Sequence, residues 1–527
     1  MDLASTTTRT ALGLGAALAG TAAVSSLAAE RAAAITGSAA APNLSATTTA
    51  HWHLARRAAV GATADIADQI KAAGTGAWLD KQLNPSSIPD TQVEALIAKH
   101  YPAATMATNE QMSAATGGRP WENAPVLQRV TMLRHVFGQR HLLEAMTEFF
   151  SDQIYVSIHG KGNSFILHYN EHVLRRHALG KFSDLLQASL SHPAVLVSLD
   201  NHLSTKDNPN ENLGREMLEL HTVGTGNYTE DDVRSAALLL TGHGVNWSTL
   251  GPRYNYAIHH TGRLKIMGWS HPNSGASSSY NAKMMSSFVA YLARHQATAA
   301  RLMRRLATRF VSDNPSAELV SQMVQVYLRS DTAMAPVLKH MFSSAEFAAS
   351  VGRKTRRGQE LLASAMRTRR PSTFVPDADP KTSPYGQMAT HAWLASTMGH
   401  GVREWFYVNG YPDTSEHWTQ SAKLQAIWNA AEGVMAGWES EEFPVPSLRS
   451  RFGLKVGGSV AAAAKTLTEQ ITGWTWSAAD QAVVASWIHN RGTATAPSTA
   501  TLTEAMLEYN VPMAARLVAA SPHFMAR

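Results

Sequence analysis

The chain contains no cysteine in its 527 residues. Disulfides, thiolate nucleophiles, iron–sulfur clusters and sulfur-ligated zinc are therefore excluded, and any bound metal must use His, Asp, Glu or backbone ligands. Charge is sparse: Asp, Glu, Lys and Arg together make up 16% of the residues. The net charge of +6 is spread out, with no run of Lys or Arg. There is neither a basic stripe interleaved with aromatics nor a glycine loop to cradle phosphate, so no nucleic-acid partner is expected. Beyond the N-terminal leader no apolar run is long enough to cross a bilayer, so no integral membrane span is expected. The Gly-x-Ser-x-Gly elbow, the Walker loop, the dinucleotide fingerprint and His-Glu-x-x-His are all missing, so no familiar motif assigns a reaction.

Apolar residues are plentiful. At 44% hydrophobic the chain is globular, and its abundant Ala, Leu and Met favour helix. Residues 1–45 stand apart as a signal-like or disordered leader. Its mildly apolar core runs from Ala11 to Ala29, with Arg9 before it and small residues after it. That pattern matches the weakly hydrophobic signals of twin-arginine substrates, although Thr8 stands where the first arginine belongs. Export to the envelope or the medium is expected, and a cytoplasmic location if the leader is not a signal.

From His51 onward helix follows helix. The pattern predicts an all-α protein: one large multi-helix domain over residues 46–366, a Pro-rich connector over 367–387, and a helical section over 388–527 packed on the first. One β-hairpin is predicted near residues 253–269. There Tyr254, Tyr256 and Ile258 alternate before the turn-like "HTGR", and Leu264 and Ile266 alternate after it. His259 and His260 would sit at its tip. Two ten-residue stretches, "MFSSAEFAAS" from Met341 and "VAASPHFMAR" from Val518, share Ser-x-x-Phe. A serine capping a short helix with a buried phenylalanine explains both.

The densest polar stretch is "NPNENLGREMLELHTVG", Asn208 to Gly224. Asn208 is read as its N-cap, with Pro209 at N1 and Glu211 as the N3 partner of a capping box, and Gly224 as its C-terminal stop; Thr229 is read as the N-cap of the next helix, with Asp232 at N3. Leu213, Met217 and Leu220 make the apolar stripe. Glu211, Arg215 and Glu219 lie away from it, as an exposed charge ladder would. Glu216 and His221 flank the stripe on opposite sides, so both should be partly buried and in need of a partner. Such a partner is an arginine from another helix, or a metal or substrate if the pair does chemistry.

Six segments fall in an order that resembles one bacterial family, the "domain of unknown function 1800". They are "HLARRAAVGAT" from His53, "RRHALGKFSDLL" from Arg175, "SLDN" from Ser198, the long block Asn210–Gly242, "NGYPDTSEHW" from Asn409, and the terminal "ASPHFMAR". The resemblance covers nearly the whole chain after the leader. It implies an exported, mostly helical protein, often encoded beside a sulfatase-like exported partner, and it supplies no settled activity. The chain departs from the family pattern in three places. Ser151, Asp152 and Gln153 stand where relatives carry His-Asn-His. His259-His260 stands where they carry His-Asp, and His243 where they tend to have Trp.

Several histidines are candidates for chemistry. "HYNEH", His168 to His172, formally matches the inverted zinc-protease motif, though an exposed helix is the plainer account. His177 is either a core histidine bonded to backbone or a ligand. Only one of His259 and His260 can face a pocket from a regular hairpin. The expected catalytic groups are Glu216, His221 and His259. The expected ligands of a divalent metal are His177, Glu216, His221, His259 and His260. The function expected is a hydrolytic or metal-dependent oxidative enzyme with a His/carboxylate site, acting on an extracellular, envelope or secondary-metabolite substrate. The competing expectation is a non-catalytic binding or assembly protein that works with an exported partner.

Overall fold

The computed structural model describes residues 47–275, 277–375, 392, 394–437 and 443–527. The leader and residues 376–387 of the Pro-rich connector lie outside the described residues. Helix dominates, as the composition requires. The strand ladders among the described residues form two small antiparallel sheets of two strands each.

The chain opens with α1, Ala50–Ala58, capped by Thr49, whose hydroxyl accepts from the Trp52 N–H. Helices α2, Asn123–Phe137, and α3, His141–Gln153, follow in the centre. Every residue of α3 is buried except Glu148, which is nearly so. A helix surrounded on all sides belongs in the middle of a core. Next come a π-helical segment at Tyr169–Leu174 and α4, Glu211–Glu216, whose last turn widens into a second π segment at Met217–His221. The N-cap of α4 is Asn210, not Asn208: its side-chain oxygen accepts from the Asn212 N–H, so Glu211 is the first helical residue and not the N3 partner of a capping box. Gly224 adopts a positive φ of 84°, and its N–H reaches back to the Leu218 carbonyl, so the expected stop is in place. Helix α5, Glu230–Leu240, begins with the expected N-cap Thr229, and the Asp232 side chain completes a capping box. Gly214 lets α4 and α5 touch, since a Cβ there would come within 3.0 Å of the Ala237 nitrogen.

The β insertion consists of two hairpins. Strand β1, His243–Asn246, pairs with β2, Gly251–Tyr254; β3, Leu264–Ile266, pairs with β4, Trp269–His271. The alternation at Tyr254, Tyr256 and Ile258 does not continue as a strand, because Tyr256–Ile258 is a 3-10 turn begun by the Asn255 side chain. His259 and His260 therefore lie between two hairpins, not at the tip of one.

Helix α6, Gln296–Phe310, and α7, Gly358–Arg369, complete the walls around α3. Helices α8, Ser421–Ala436, α9, Val460–Thr472, and α10, Val511–Ala519, carry the C-terminal section, in which α8 packs on α7. The two ends of the described chain meet. Arg56 donates to the Thr472 carbonyl at 2.7 Å, and Arg527 donates to the Arg56, Arg57 and Arg309 carbonyls at 3.0–3.1 Å. Both Ser-x-x-Phe stretches behave as read. Ser344 and Ser521 cap short helices, and Phe347 and Phe524 are buried.

Candidate functional site

The residues expected to do chemistry are dispersed. Glu216 is half-buried, and burial followed by its neighbour Glu219 raises its pKa. His221 is fully buried; burial, then Arg301 and Arg305, lowers its pKa to about 3. The charge ladder beside them is partly redirected: Arg215 holds Glu230 at 2.7–2.8 Å more closely than Glu211 at 3.4 Å, and Glu219 accepts from the Tyr228 hydroxyl at 2.6 Å. His259 is buried and bonded at both ring nitrogens. Nδ1 is 2.7 Å from the Thr241 carbonyl, and Nε2 is 3.1 Å from Asn273 Oδ1. Its ring packs on Tyr254, which in turn packs on His243, so these two histidines do come together. His260 and His177 are half-buried, and burial lowers the pKa of each.

Among the described residues, no three His, Cys, Asp or Glu side chains are grouped to hold a metal ion. Near His221 the positive charges of Arg301 and Arg305, which lower its pKa, oppose a cation as well as a proton. "HYNEH" is not a zinc motif either. Glu171 is paired with Arg134 at 2.6 Å, His172 Nε2 lies 2.8 Å from the Met106 carbonyl, and His168 joins a relay. The Ala194 N–H donates to His192 Nδ1, so His192 Nε2 carries the proton and donates to His168 Nδ1 at 2.9 Å. His168 Nε2 then donates to the Ala107 carbonyl.

The side chains that do converge lie on α3. Glu144, Glu148 and Asp152 recur at i, i+4 and i+8, which puts three carboxylates on one face of a helix that is otherwise buried. Thr147 and Ser151 fill the gaps. This stripe faces a cavity of about 30 Å³, enough for more than one water molecule. The opposite walls are His135 of α2, Asn170 of the first π segment, Gln359 of α7, and His400, Arg403 and Tyr411 of the loop that follows residue 398. Of the three residues that the sequence reading singled out at the end of this helix, Ser151 and Asp152 line this cavity. The third, Gln153, turns outward and donates to the Leu220 and His221 carbonyls at 3.1 and 2.9 Å. The Glu/His segment is therefore bonded to the back of the cavity helix through its backbone.

Behind the stripe lies an ion lattice closed off from water. Arg309 contacts Glu148 at 2.8 Å, Glu360 at 2.9 Å and Asp413 at 3.4 Å. Arg357 contacts Glu148 at 2.5 Å, Asp152 at 3.0 Å and Asp413 at 3.5 Å. Arg527 adds a contact to Glu360 at 3.2 Å. Burial opposes ionisation of Glu148, but Arg357 and Arg309 outweigh it and hold its pKa at about 2. Asp152 moves the other way. Burial raises it, Arg357 opposes only in part, and Asp413 and Glu148 push it further up. His400 is held neutral, first by burial and then by Arg357. Its Nδ1 accepts from the Gln359 N–H at 3.0 Å, so Nε2 carries the proton and faces Glu148 Oε1 at 3.4 Å. His135 is also lowered by burial, and its Nδ1 has no hydrogen-bond partner from the protein.

Backbone geometry supports the same place. Arg403 sits at φ 60°, uncommon for a residue with a Cβ, and its Nη1 is buried without a protein partner. Gly410, at φ 73°, passes so close to α3 that a Cβ would lie 2.3 Å from the Asp152 carbonyl oxygen. This packing places the Tyr411 N–H 3.1 Å from Asp152 Oδ1. A raised carboxyl, two neutral imidazoles and a strongly ionised carboxylate around one small cavity can donate, accept and stabilise a moving proton. A divalent cation does not fit there, because guanidiniums already occupy the oxygens of Glu148 and Asp152.

The family model described as "Protein of unknown function (DUF1800)" matches residues 53–526. No curated protein and no solved structure matches the chain.

Proposed function

The chain belongs to the DUF1800 family, and we propose that it is an enzyme whose buried acid–base centre lies on α3, facing the cavity. The observation that carries this is the opposite displacement of two carboxyls one helical turn apart: Glu148 lowered, Asp152 raised. Carboxyls driven apart in this way divide the roles of acid and base between them. Asp152 is the proton donor. His135, whose Nδ1 has no partner from the protein, is the neutral base, and Glu148 stabilises the positive charge that develops on it; His400, with its Nε2–H facing Glu148, is a positioning residue. Arg403 Nη1 polarises the acceptor oxygen of the substrate. The reaction class is proton transfer or hydrolysis at a small polar group. Glu216, His221 and His259, expected to be catalytic, are assigned to the framework here, with His221 behind the cavity helix. Export, and hence an extracellular or envelope substrate, rests on the leader alone; mass spectrometry of the mature N-terminus of secreted material tests it.

Function itself is tested by comparative mass spectrometry. Small-molecule extract of the producing culture is incubated with the wild type and with Asp152→Asn. Compounds consumed by the wild type and spared by the variant are expected. If the two proteins leave the extract identical, while circular dichroism shows both folded, the enzyme proposal fails. The alternative is then favoured: a binding or assembly protein for an exported, sulfatase-like partner, with the arginine–carboxylate lattice as scaffolding.

A further inference from the structure

The cavity on α3 is too small to hold more than a small polar group, so most of any substrate must lie outside it. The loop that closes it continues outward as "REWFYVNGY", Arg403 to Tyr411. The tip of this loop is unusual. Phe406 is 89% exposed and Tyr407 61%, with Val408 beside them. Isolated exposed aromatics are ordinary, but three consecutive apolar side chains in water are not.

The rings are also connected. His400, in the cavity wall, packs on Tyr411 with centroids 4.7 Å apart, and Tyr411 packs on Trp405 at 5.2 Å. Trp405 meets Tyr407 at 5.8 Å, and Tyr407 meets Phe406 at 5.5 Å. This row of five rings runs from the cavity wall to the surface, each pair within the range of favourable aromatic contact. Its middle ring is anchored: the Tyr155 hydroxyl donates to the Trp405 carbonyl at 2.9 Å, and Trp405 Nε1 donates to Asn409 Oδ1 at 3.0 Å. The cavity end supplies both kinds of unmet polar atom, a donor at Arg403 Nη1 and, with the ring proton on Nε2, an acceptor at His135 Nδ1.

Resting on the acid–base proposal for the same cavity, we infer that the substrate is amphipathic, with a small neutral amide-like head that enters the cavity and an aromatic body that lies on the ring row ending at Phe406 and Tyr407. A head that both donates and accepts satisfies Arg403 Nη1 and His135 Nδ1 together, which a simple cation or anion does not. The aromatic body would cover rings that water now touches.

The test titrates the full chain with phenylacetamide, with acetamide as the head alone and cyclohexylacetamide as a non-aromatic body, by saturation-transfer NMR and calorimetry. Phenylacetamide is expected to bind at least about ten-fold more tightly than acetamide. In the double variant Phe406→Ala/Tyr407→Ala that advantage is expected to shrink to less than about three-fold. Both positions are at the surface, so the variant keeps its fold. Equal binding of all three compounds, or an advantage untouched by the double variant, overturns the inference. So does a result in which the native protein ignores phenylacetamide but binds phosphatidylglycerol vesicles through the same two side chains; the tip is then a membrane contact. The two proposals fail separately. Ring-dependent binding with no consumption of any compound rejects only the acid–base centre. Consumption that survives Phe406→Ala/Tyr407→Ala, with no preference for phenylacetamide, rejects only the ring row.

Discussion

Acid should weaken this protein well above the range where carboxylates titrate. His53 and His221 are buried, and each has its pKa lowered to about 3. Burial is the main cause for both; Arg57 adds to it at His53, and Arg301 and Arg305 at His221. The unfolded chain takes up a proton at each position below about pH 6.5, while the folded chain does not until about pH 3. Stability is therefore fully present above pH 6.5 and falls as pH drops towards 3. At pH 5 the unfolded state has gained about 2 kcal/mol per histidine, so these two alone remove about 4 kcal/mol, a large part of an ordinary domain's stability. Lys354, lowered to about 8, contributes no slope in this window, since it is charged in both states below that value. Asp152 and Glu216 are raised, so they bind protons in the fold and oppose the loss at its acid end. The assay is urea unfolding followed by circular dichroism at pH 7.5, 6.5, 5.5 and 5. A fall of several kcal/mol is expected, and in His221→Gln a slope shallower by about one proton. A flat profile from pH 7.5 to 5, or the same slope in that variant, would refute the premise that these imidazoles stay neutral in the fold.

Three substitutions probe the framework around the cavity. Arg357→Leu leaves Glu148 and Asp152 buried beside one guanidinium fewer and should cost about 3–5 kcal/mol in denaturant unfolding; a loss under about 1 kcal/mol would mean that the lattice is open to water. Gly410→Ala combines a left-handed backbone with a Cβ driven into the Asp152 carbonyl, and should cost at least about 2 kcal/mol while weakening any activity that depends on Asp152. Thr229→Ala removes the capping box of α5 and should lower the thermal midpoint by an amount equivalent to about 1 kcal/mol; calorimetry reads it directly, and no change would show that the cap contributes nothing.

Much of the fold was legible because it rests on local rules. The capping box at Thr229, the stop at Gly224 and the two Ser-x-x-Phe caps are each settled within a few residues, so a linear reading reaches them. The β insertion was legible only as to its place. Alternation at Tyr254, Tyr256 and Ile258 suggests a strand, but the Asn255 side chain captures the Ala257 N–H and turns the chain first. The start of α4 was misplaced for a similar reason. Asn208 and Asn210 are both competent caps, and Ser204, whose hydroxyl accepts from the Asn210 N–H, fixes the choice from outside the segment.

The site shows where a linear reading stops. Glu216 and His221 drew notice because they border an apolar stripe in a highly charged segment, and His221 is indeed buried. Burial alone does not make a centre, however; convergence does, and what meets His221 is a pair of arginines. The signal for the cavity was present in "HLLEAMTEFFSDQ", where carboxylates recur every fourth residue along a helix that is otherwise apolar on every side. An exposed helix can show the same spacing at no energetic cost. What distinguishes α3 is that its other faces carry Leu, Met and Phe, so its carboxylates face the interior and one small cavity, and must find cations there. Those cations, Arg309, Arg357 and Arg527, lie more than 150 residues away in sequence and give no local hint of where they go. A carboxylate stripe on an all-apolar helix is thus the stronger indicator of a buried polar centre, and a charged segment at the edge of a stripe the weaker one. Ser151 and Asp152 fall at the end of that same stripe, where Arg357 and the Tyr411 N–H keep the Asp152 carboxyl bonded, so the residue that faces the cavity is held by the same lattice that buries it.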